Sequence, residues 1–338
     1  MASVVADACP LMLTVELIAP GRPAAEALRL VQRDCPPPGP GQVRIRMLAR
    51  PVNPADLLLL DGRHVYKPLL PAVVGIEGAG LIEAVAEGVS LAPGTLVAVP
   101  SGGTWREQMI VPAAAVLALP PDLSIEQAAT LSVNPFTASG LLQGLEPGDS
   151  VLINAAGSAL ARILLALARR RGVQVIALVR SPRHREALLA QGAVAVLIEG
   201  PDLEQQWRSA GLQPVRRALD AVAGAASAWL FERVAEGGDL LIYGLLDSDQ
   251  VRLPAASLIF RDVRVRGYSR LRALAAMAAA ERAALNEELI SLVRSGLIET
   301  GVAARYPLEQ AAEAVEPARR PAGSGKILLL SPDPRQPA

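Results

Sequence analysis

The first chemical signal lies just past residue 179. Arg180-Ser181-Pro182-Arg183-His184-Arg185 follows the apolar run Val175-Ile176-Ala177-Leu178-Val179, with no acid before Glu186. An acid at the end of such a strand holds the ribose hydroxyls of a dinucleotide, whereas a guanidinium there accepts a ribose phosphate in bidentate fashion. Arginines at a helix start oppose the helix dipole, and a bound phosphate removes that conflict. The residues therefore favour NADPH over NADH, with Arg180, Ser181 and Arg183 at the 2′-phosphate. Upstream, Val151-Leu152-Ile153-Asn154 runs into a small-residue turn and a helix. Backbone N–H groups at that helix start would bind the pyrophosphate through Ala156, Gly157, Ser158, Ala159 and Leu160. Gly157 is the only glycine from 154 to 162, and Ala159 and Ala161 stand where glycines are common. Taken alone, the turn fits any parallel α/β domain equally well.

A zinc site can be judged by counting. The 338 residues include two cysteines and two histidines. Catalytic zinc takes three protein ligands and structural zinc takes four. Cys9 and Cys35 have no C-x-x-C partners, and His64 and His184 are far apart in the chain. A four-cysteine site is impossible, and nothing in the spacing suggests a carboxylate-rich one. No metal is expected.

Two kinds of element must position these residues. Up to about residue 122 the chain reads as short strands, at 13–18, 42–49, 79–86 and 95–99. Pro36–Pro40, Asp61-Gly62 and Pro93-Gly94 punctuate them. The proline cluster is read as a rigid turn, because a strand follows at once. From about 124, strands alternate with helices. Strands are predicted at 150–154, 174–179, 194–198, 217–222, 239–243 and 263–267, with helices at 183–191 and 225–234. This is the pattern of a doubly wound parallel sheet. A helix near 273–295, a strand at 302–306, a helix near 308–315 and a strand at 326–330 follow, and the last strand is expected to return to the first domain.

Formal net charge is zero, hydrophobic residues make up 51% and charged residues 20%. That composition argues for a soluble globular protein and against long-range steering of nucleic acid or anionic membranes. Two cysteines suggest a reducing compartment, and the reading is cytoplasmic. Residues 1–10 carry neither a basic nor a long apolar run, which argues against a signal or transit peptide. No apolar stretch reaches membrane-spanning length.

Asn53-Pro54-Ala55-Asp56, Gly75-Ile76-Glu77-Gly78, Gly103-Thr104-Trp105-Arg106 and Asn134-Pro135-Phe136-Thr137-Ala138 resemble the zinc-independent medium-chain dehydrogenase/reductase superfamily. Within it the combination is most similar to mitochondrial-type 2-enoyl thioester reductases. Pro147-Gly148-Asp149-Ser150-Val151, Ser257-Leu258-Ile259-Phe260-Arg261-Asp262 and Ser324-Gly325-Lys326-Ile327 extend the resemblance across nearly the whole chain. It implies a GroES-like β domain (1–126 and 272–338) interrupted by a Rossmann domain (127–271), with the active site in the cleft. It also implies that Asn134 and Thr137 face the nicotinamide and that Asn53 and Asp56 shape the cleft floor. Tyr243, Gly244, Phe260, Tyr268 and Lys326 would complete the cofactor cradle, with Trp105 and Phe136 on the substrate side. Six of the ten aromatic residues fall on these segments, which favours a stacking site over generic core packing.

The chain departs from the enoyl reductases at one position. Their catalytic tyrosine lies two residues after the glycine matching Gly62, where this chain has His64, and Tyr66 follows two residues later. An imidazole with an unperturbed pKa of about 6.5 suits proton donation. Either side chain, or water, remains open as the donor, and His64 is read equally well as a loop residue. The leading activity is NADPH-dependent reduction of the α,β double bond of a 2-enoyl thioester carried on coenzyme A or acyl carrier protein. The stretch from Gly62 to Pro71 is as much like NADPH:quinone oxidoreductases, the alternative. A non-catalytic NADPH-binding protein is a third reading. The resemblance also suggests a homodimer formed through the Rossmann sheet edges.

Overall fold

The computed structural model describes residues 11–320 and 325–335. Cys9, Ser324 and residues 1–10, read above for a targeting signal, lie outside them. The chain forms two compact units, Met1–Val133 with Thr300–Ala338, and Asn134–Glu299. The second boundary falls later in the chain than the 271/272 expected from sequence. Helix Arg270–Ala276 packs on helix Asn134–Leu141, which keeps it with the second unit.

In the first unit a seven-stranded sheet runs Val302–Pro307, Lys326–Leu330, Gln42–Pro51, Gly78–Val85, Leu96–Val99 and Leu117–Ala118, with Gln108–Pro112 also paired to Gln42–Pro51. Val43, Ile45 and Met47 alternate inward and meet Ile82, Val97, Val99 and Met109, which is the period-two burial of a half-covered strand. The C-terminal strand returns as expected, with Leu328 opposite Pro51. It is also what brings Lys326 to the Asn53 turn, 273 residues earlier in the chain. A three-stranded sheet, Leu28–Asp34, Leu11–Leu17 and Ala72–Val73, completes the unit.

The second unit holds a six-stranded parallel sheet in the spatial order Ala193–Ile198, Gln174–Val179, Ser150–Ile153, Val215–Asp220, Val234–Ile242, Arg264–Gly267. In chain order that is third, second, first, fourth, fifth, sixth, the doubly wound arrangement of a dinucleotide fold. The strand order reverses at Ser150–Ile153, beside the turn read as the pyrophosphate site. Of the six strands expected, each is present within a few residues, and Val234–Ile242 extends five residues further upstream than read. The expected helix at 273–295 is two helices, Arg270–Ala276 and Ala279–Arg294. Met277 between them is extended, and the Ala278 N–H donates to Glu281 Oε2 at 3.1 Å. A carboxylate cap starts the second helix with no glycine or proline to announce it.

Candidate active site

The turn read as the pyrophosphate site is built without the usual glycines. Ala155 takes a positive φ of 49°, a conformation that costs an L-residue something and persists where surrounding bonds fix it. The Ala156 N–H donates to Leu178 O at 3.1 Å, pinning the turn to the neighbouring strand. Ser158 then caps helix Ala159–Arg170, its Oγ accepting from the Ala161 N–H at 3.2 Å. Ala161 is buried in the first helical turn and Leu160 is half-buried. A Cβ on Gly157 would lie 2.9 Å from His184 Nε2, so a bare Cα is what lets this imidazole rest on the turn.

Beneath the turn, the Asp220 carboxylate ends the fourth strand and gathers four donors. Oδ1 accepts from Asn154 Nδ2 at 2.6 Å and from the Val222 and Ala223 N–H groups at 2.9 Å each; Oδ2 accepts from Ser227 Oγ at 2.5 Å. Asn154 Oδ1 accepts from the Ala221 N–H at 2.8 Å. This network locks the ends of two adjacent strands at the point where the sheet order reverses. Gly244 packs on the same end, where a Cβ would fall 2.5 Å from Ala221 O. Tyr243 hangs from Asp220 O through its own N–H at 2.9 Å. Its hydroxyl is buried with no hydrogen-bond partner among the described residues. Burial, then the Asp220 charge, raise its pKa.

Past Val179, Arg180 and Arg183 are exposed and Ser181 is half-buried. Glu199 lies close enough for Arg180 to counter the burial that raises the Glu199 carboxyl. Helix Asn134–Leu141 starts with buried Asn134 and Phe136 and half-buried Thr137. The Tyr268 ring seats on it, since a Cβ at Gly140 would lie 2.0 Å from the Tyr268 hydroxyl. The structure thus joins Tyr268 to the Asn134 helix, and Gly244 to the Asp220 strand end. Phe260 is 80% exposed at the end of helix Ala255–Phe260, which buries none of its residues.

The first unit holds, within itself, a buried polar centre that the sequence reading only touched. Lys326 Nζ donates to Asn53 Oδ1, whose Nδ2 donates to Glu77 Oε1 at 3.0 Å. Ser132 Oγ donates to Glu77 Oε2 at 3.0 Å, and Thr104 Oγ1 to Glu77 O at 2.7 Å. Asp56 Oδ2 accepts from the Asn53 N–H at 2.8 Å, while Oδ1 is buried without a well-formed hydrogen bond. Burial pushes the Asp56 carboxyl up to about 7, against the pull of the Asn53 amide and Lys326. Burial lowers Lys326, with Glu77 and Asp56 holding it up. His64 is half-buried, and its Nδ1 accepts from the Tyr66 N–H at 3.1 Å. That contact leaves the proton of a neutral ring on Nε2. The Tyr66 side chain is 64% exposed.

The burial of the aromatic residues bears on two expectations. Trp105 is completely buried in the first unit's core among Val15, Leu17 and Val74, where a Cβ on Gly75 would meet its indole at 2.3 Å. It packs a core rather than walling a surface. Of the six aromatics read as one stacking site, Trp105 and Phe136 are buried, Tyr243 and Tyr268 half-buried, and Tyr66 and Phe260 exposed. Among the described residues the ring pair that forms is Trp207 against Trp229, outside those segments, at 5.8 Å. Glu77, Ser132, Asn154, Asp220 and His184 were given no role from sequence. Acids inside apolar runs, as at Glu77 and Asp220, were the available signal.

A Rossmann unit joined to a GroES-like β unit defines a class of two-domain oxidoreductases. Residues 39–121 match the model of the alcohol dehydrogenase GroES-like domain, and residues 159–286 that of the zinc-binding dehydrogenases. The human mitochondrial enoyl-[acyl-carrier-protein] reductase is 32% identical over 302 residues, covering 85% of this chain and 80% of its own. The Escherichia coli quinone oxidoreductase complexed with NADPH superposes with a TM-score of 0.85 at 25% identity, covering 94% of this chain and 100% of that one. A mycobacterial protein complexed with NADPH gives 0.83 at 27% identity, covering 95% and 100%. The chain belongs to the medium-chain dehydrogenase/reductase superfamily and is an oxidoreductase. Zinc, which the second family model's description implies, does not fit it. Among the described residues no group of three or more His, Cys, Asp or Glu could hold a metal ion.

Proposed function

We propose that this enzyme uses NADPH to reduce the α,β double bond of 2-enoyl thioesters, on coenzyme A or acyl carrier protein, without zinc. The observation that carries the cofactor reading is the strand end at Val179. Exposed Arg180 and Arg183 and half-buried Ser181 follow it, next to the reversal point of the sheet, with no acid before Glu186. The Gly157 turn, the Ser158 cap and the orphaned Tyr243 hydroxyl are features such a ligand would engage. NADPH, when bound, supplies the hydride for the β carbon of the substrate. Asn134 and Thr137 orient the nicotinamide from the start of their helix, and Lys326 and Asn53 are held as a pair in the first unit. His64 is the proton donor for the α carbon as the imidazolium, which forms when the Tyr66 N–H leaves Nδ1 and that nitrogen takes up a proton. Tyr66 is the alternative donor.

The 2-enoyl substrate is supported by the relatives of that name. The alternative, NADPH:quinone oxidoreduction, is supported by the solved neighbours. Steady-state NADPH oxidation with crotonyl-CoA and with 1,4-benzoquinone separates them. Thioester turnover is expected, and quinone turnover alone would overturn the enoyl reading. His64→Phe is expected to lower kcat more than it changes NADPH affinity, and an unchanged kcat would remove His64 from the reaction. No described helix is long and apolar enough to cross a membrane. We further infer a homodimer. The strand Arg264–Gly267 is an open edge of the parallel sheet, and Leu258, Ile259 and Phe260 are exposed just before it in the chain.

A further inference from the structure

His184 stands at the meeting point of the two phosphate-binding segments. The Nε2 end of its ring covers Gly157: a Cβ there would be 2.9 Å from Nε2, 3.0 Å from Cδ2 and 3.3 Å from Cε1. On the other side, Arg183 Nε donates to the same Nε2 at 3.1 Å. A nitrogen that accepts a hydrogen bond carries a lone pair, so the ring is neutral with its proton on Nδ1. One residue therefore links the pyrophosphate turn to the arginines of the 2′-phosphate segment, and it occupies the space over the turn while doing so.

We propose that His184 is a further contact of the dinucleotide site: a cofactor phosphate draws Arg183 away from Nε2, and Nε2 then takes up a proton, keeps it, and donates a hydrogen bond to a phosphate oxygen. This rests on the NADPH reading above. The step balances simply. A buffer acid or water gives up one proton, an N–H bond forms at Nε2, and no electron is exchanged. The electrostatics run the same way. Burial and the charges of Arg183, on its own turn, and Arg162, on helix Ala159–Arg170, hold His184 below its usual range. Arg180, Arg185 and Glu186 flank it in the chain. A phosphate dianion among these guanidinium groups reverses the local field and favours the imidazolium. Since the bound state then holds more protons than the free state, affinity rises as pH falls, by at most about tenfold per pH unit for one group.

Calorimetric titration of the full chain with NADP+ and with NAD+ at pH 7, in two buffers of different ionisation enthalpy, reads the protons exchanged. His184→Gln keeps a polar side chain without a titrating group, and its melting temperature checks the fold. The 2′-phosphate itself titrates near pH 6, so the informative quantity is wild type minus variant. That difference is expected to be an uptake of a sizeable fraction of one proton, together with a flatter affinity-versus-pH curve for the variant between pH 6 and 8. A difference seen with NADP+ alone assigns His184 to the 2′-phosphate, and one seen with both dinucleotides assigns it to the pyrophosphate. Equal proton counts for wild type and variant with both would overturn the proposal and leave the cofactor reading standing. Failure of either dinucleotide to bind the wild type would overturn both.

Discussion

Asp56 in the first unit and Asp220 in the second are both fully buried, and the two are treated differently. Asp220 in the second unit receives four hydrogen bonds across both oxygens. Asp56 in the first unit receives one well-formed bond on Oδ2, and its buried Oδ1 is left without one. Four donors on one carboxylate fasten the strand ends it ties. At Asp56 burial outweighs the pull of the Asn53 and Ile76 amides and of Lys326, which is why its carboxyl is raised to about 7. The contrast separates a fixed scaffold under the phosphate turn from a titratable centre around Lys326 and Glu77.

The largest effect belongs to the saturated side. Asp220→Ala orphans the Asn154 amide, the Ser227 hydroxyl and two backbone N–H groups, and about 3 kcal/mol or more of stability should be lost in urea unfolding. A loss below about 1 kcal/mol would mean the fastener is dispensable. Above that scaffold, Arg180→Ala should weaken NADP+ binding by about 1.5–3 kcal/mol and leave NAD+ binding nearly unchanged. Equal losses for both would take Arg180 out of the phosphate site.

The unsaturated side should reveal itself through pH. The folded pKa of Asp56, about 7, lies above its ordinary 3.8. The native state therefore holds the proton more tightly than the unfolded chain. That stability is fully present below about pH 4 and is lost as pH rises through 7. Asp56→Asn removes the titrating group, so the variant's melting temperature should fall less than the wild type's between pH 5 and 8. Parallel curves would assign the same character to both aspartates. The smallest expected change is Ser132→Ala, which takes one donor from Glu77 and should cost about 1 kcal/mol in urea unfolding. A cost near that of Asp220→Ala would show Ser132 to be as central as the four donors around Asp220.

Much of the second unit was legible because six short apolar runs alternating with helices leave few alternatives to a parallel sheet. That Arg180 and Arg183 follow a strand end could be read for the same reason. The first unit's polar centre was less legible. Lys326 meets Asn53 across 273 residues because two antiparallel strands pair, and nothing in the local sequence at either position specifies that partner. The resemblance put Trp105 on the substrate side, and its indole is buried in the first unit's core. The positive φ of 97° at Gly75 and the space its missing Cβ leaves make it a packing site instead. The break at Met277-Ala278 escaped notice because a glutamate cap in an alanine-rich run looks like continuous helix.

The account rests most directly on where hydrogen goes. Crotonyl-CoA, turned over with NADPH carrying deuterium at the transferable C4 position, should yield butyryl-CoA with one deuterium on the β carbon and a solvent hydrogen on the α carbon. Consumption of the labelled NADPH with no deuterium in the thioester, or label on the α carbon, would contradict it.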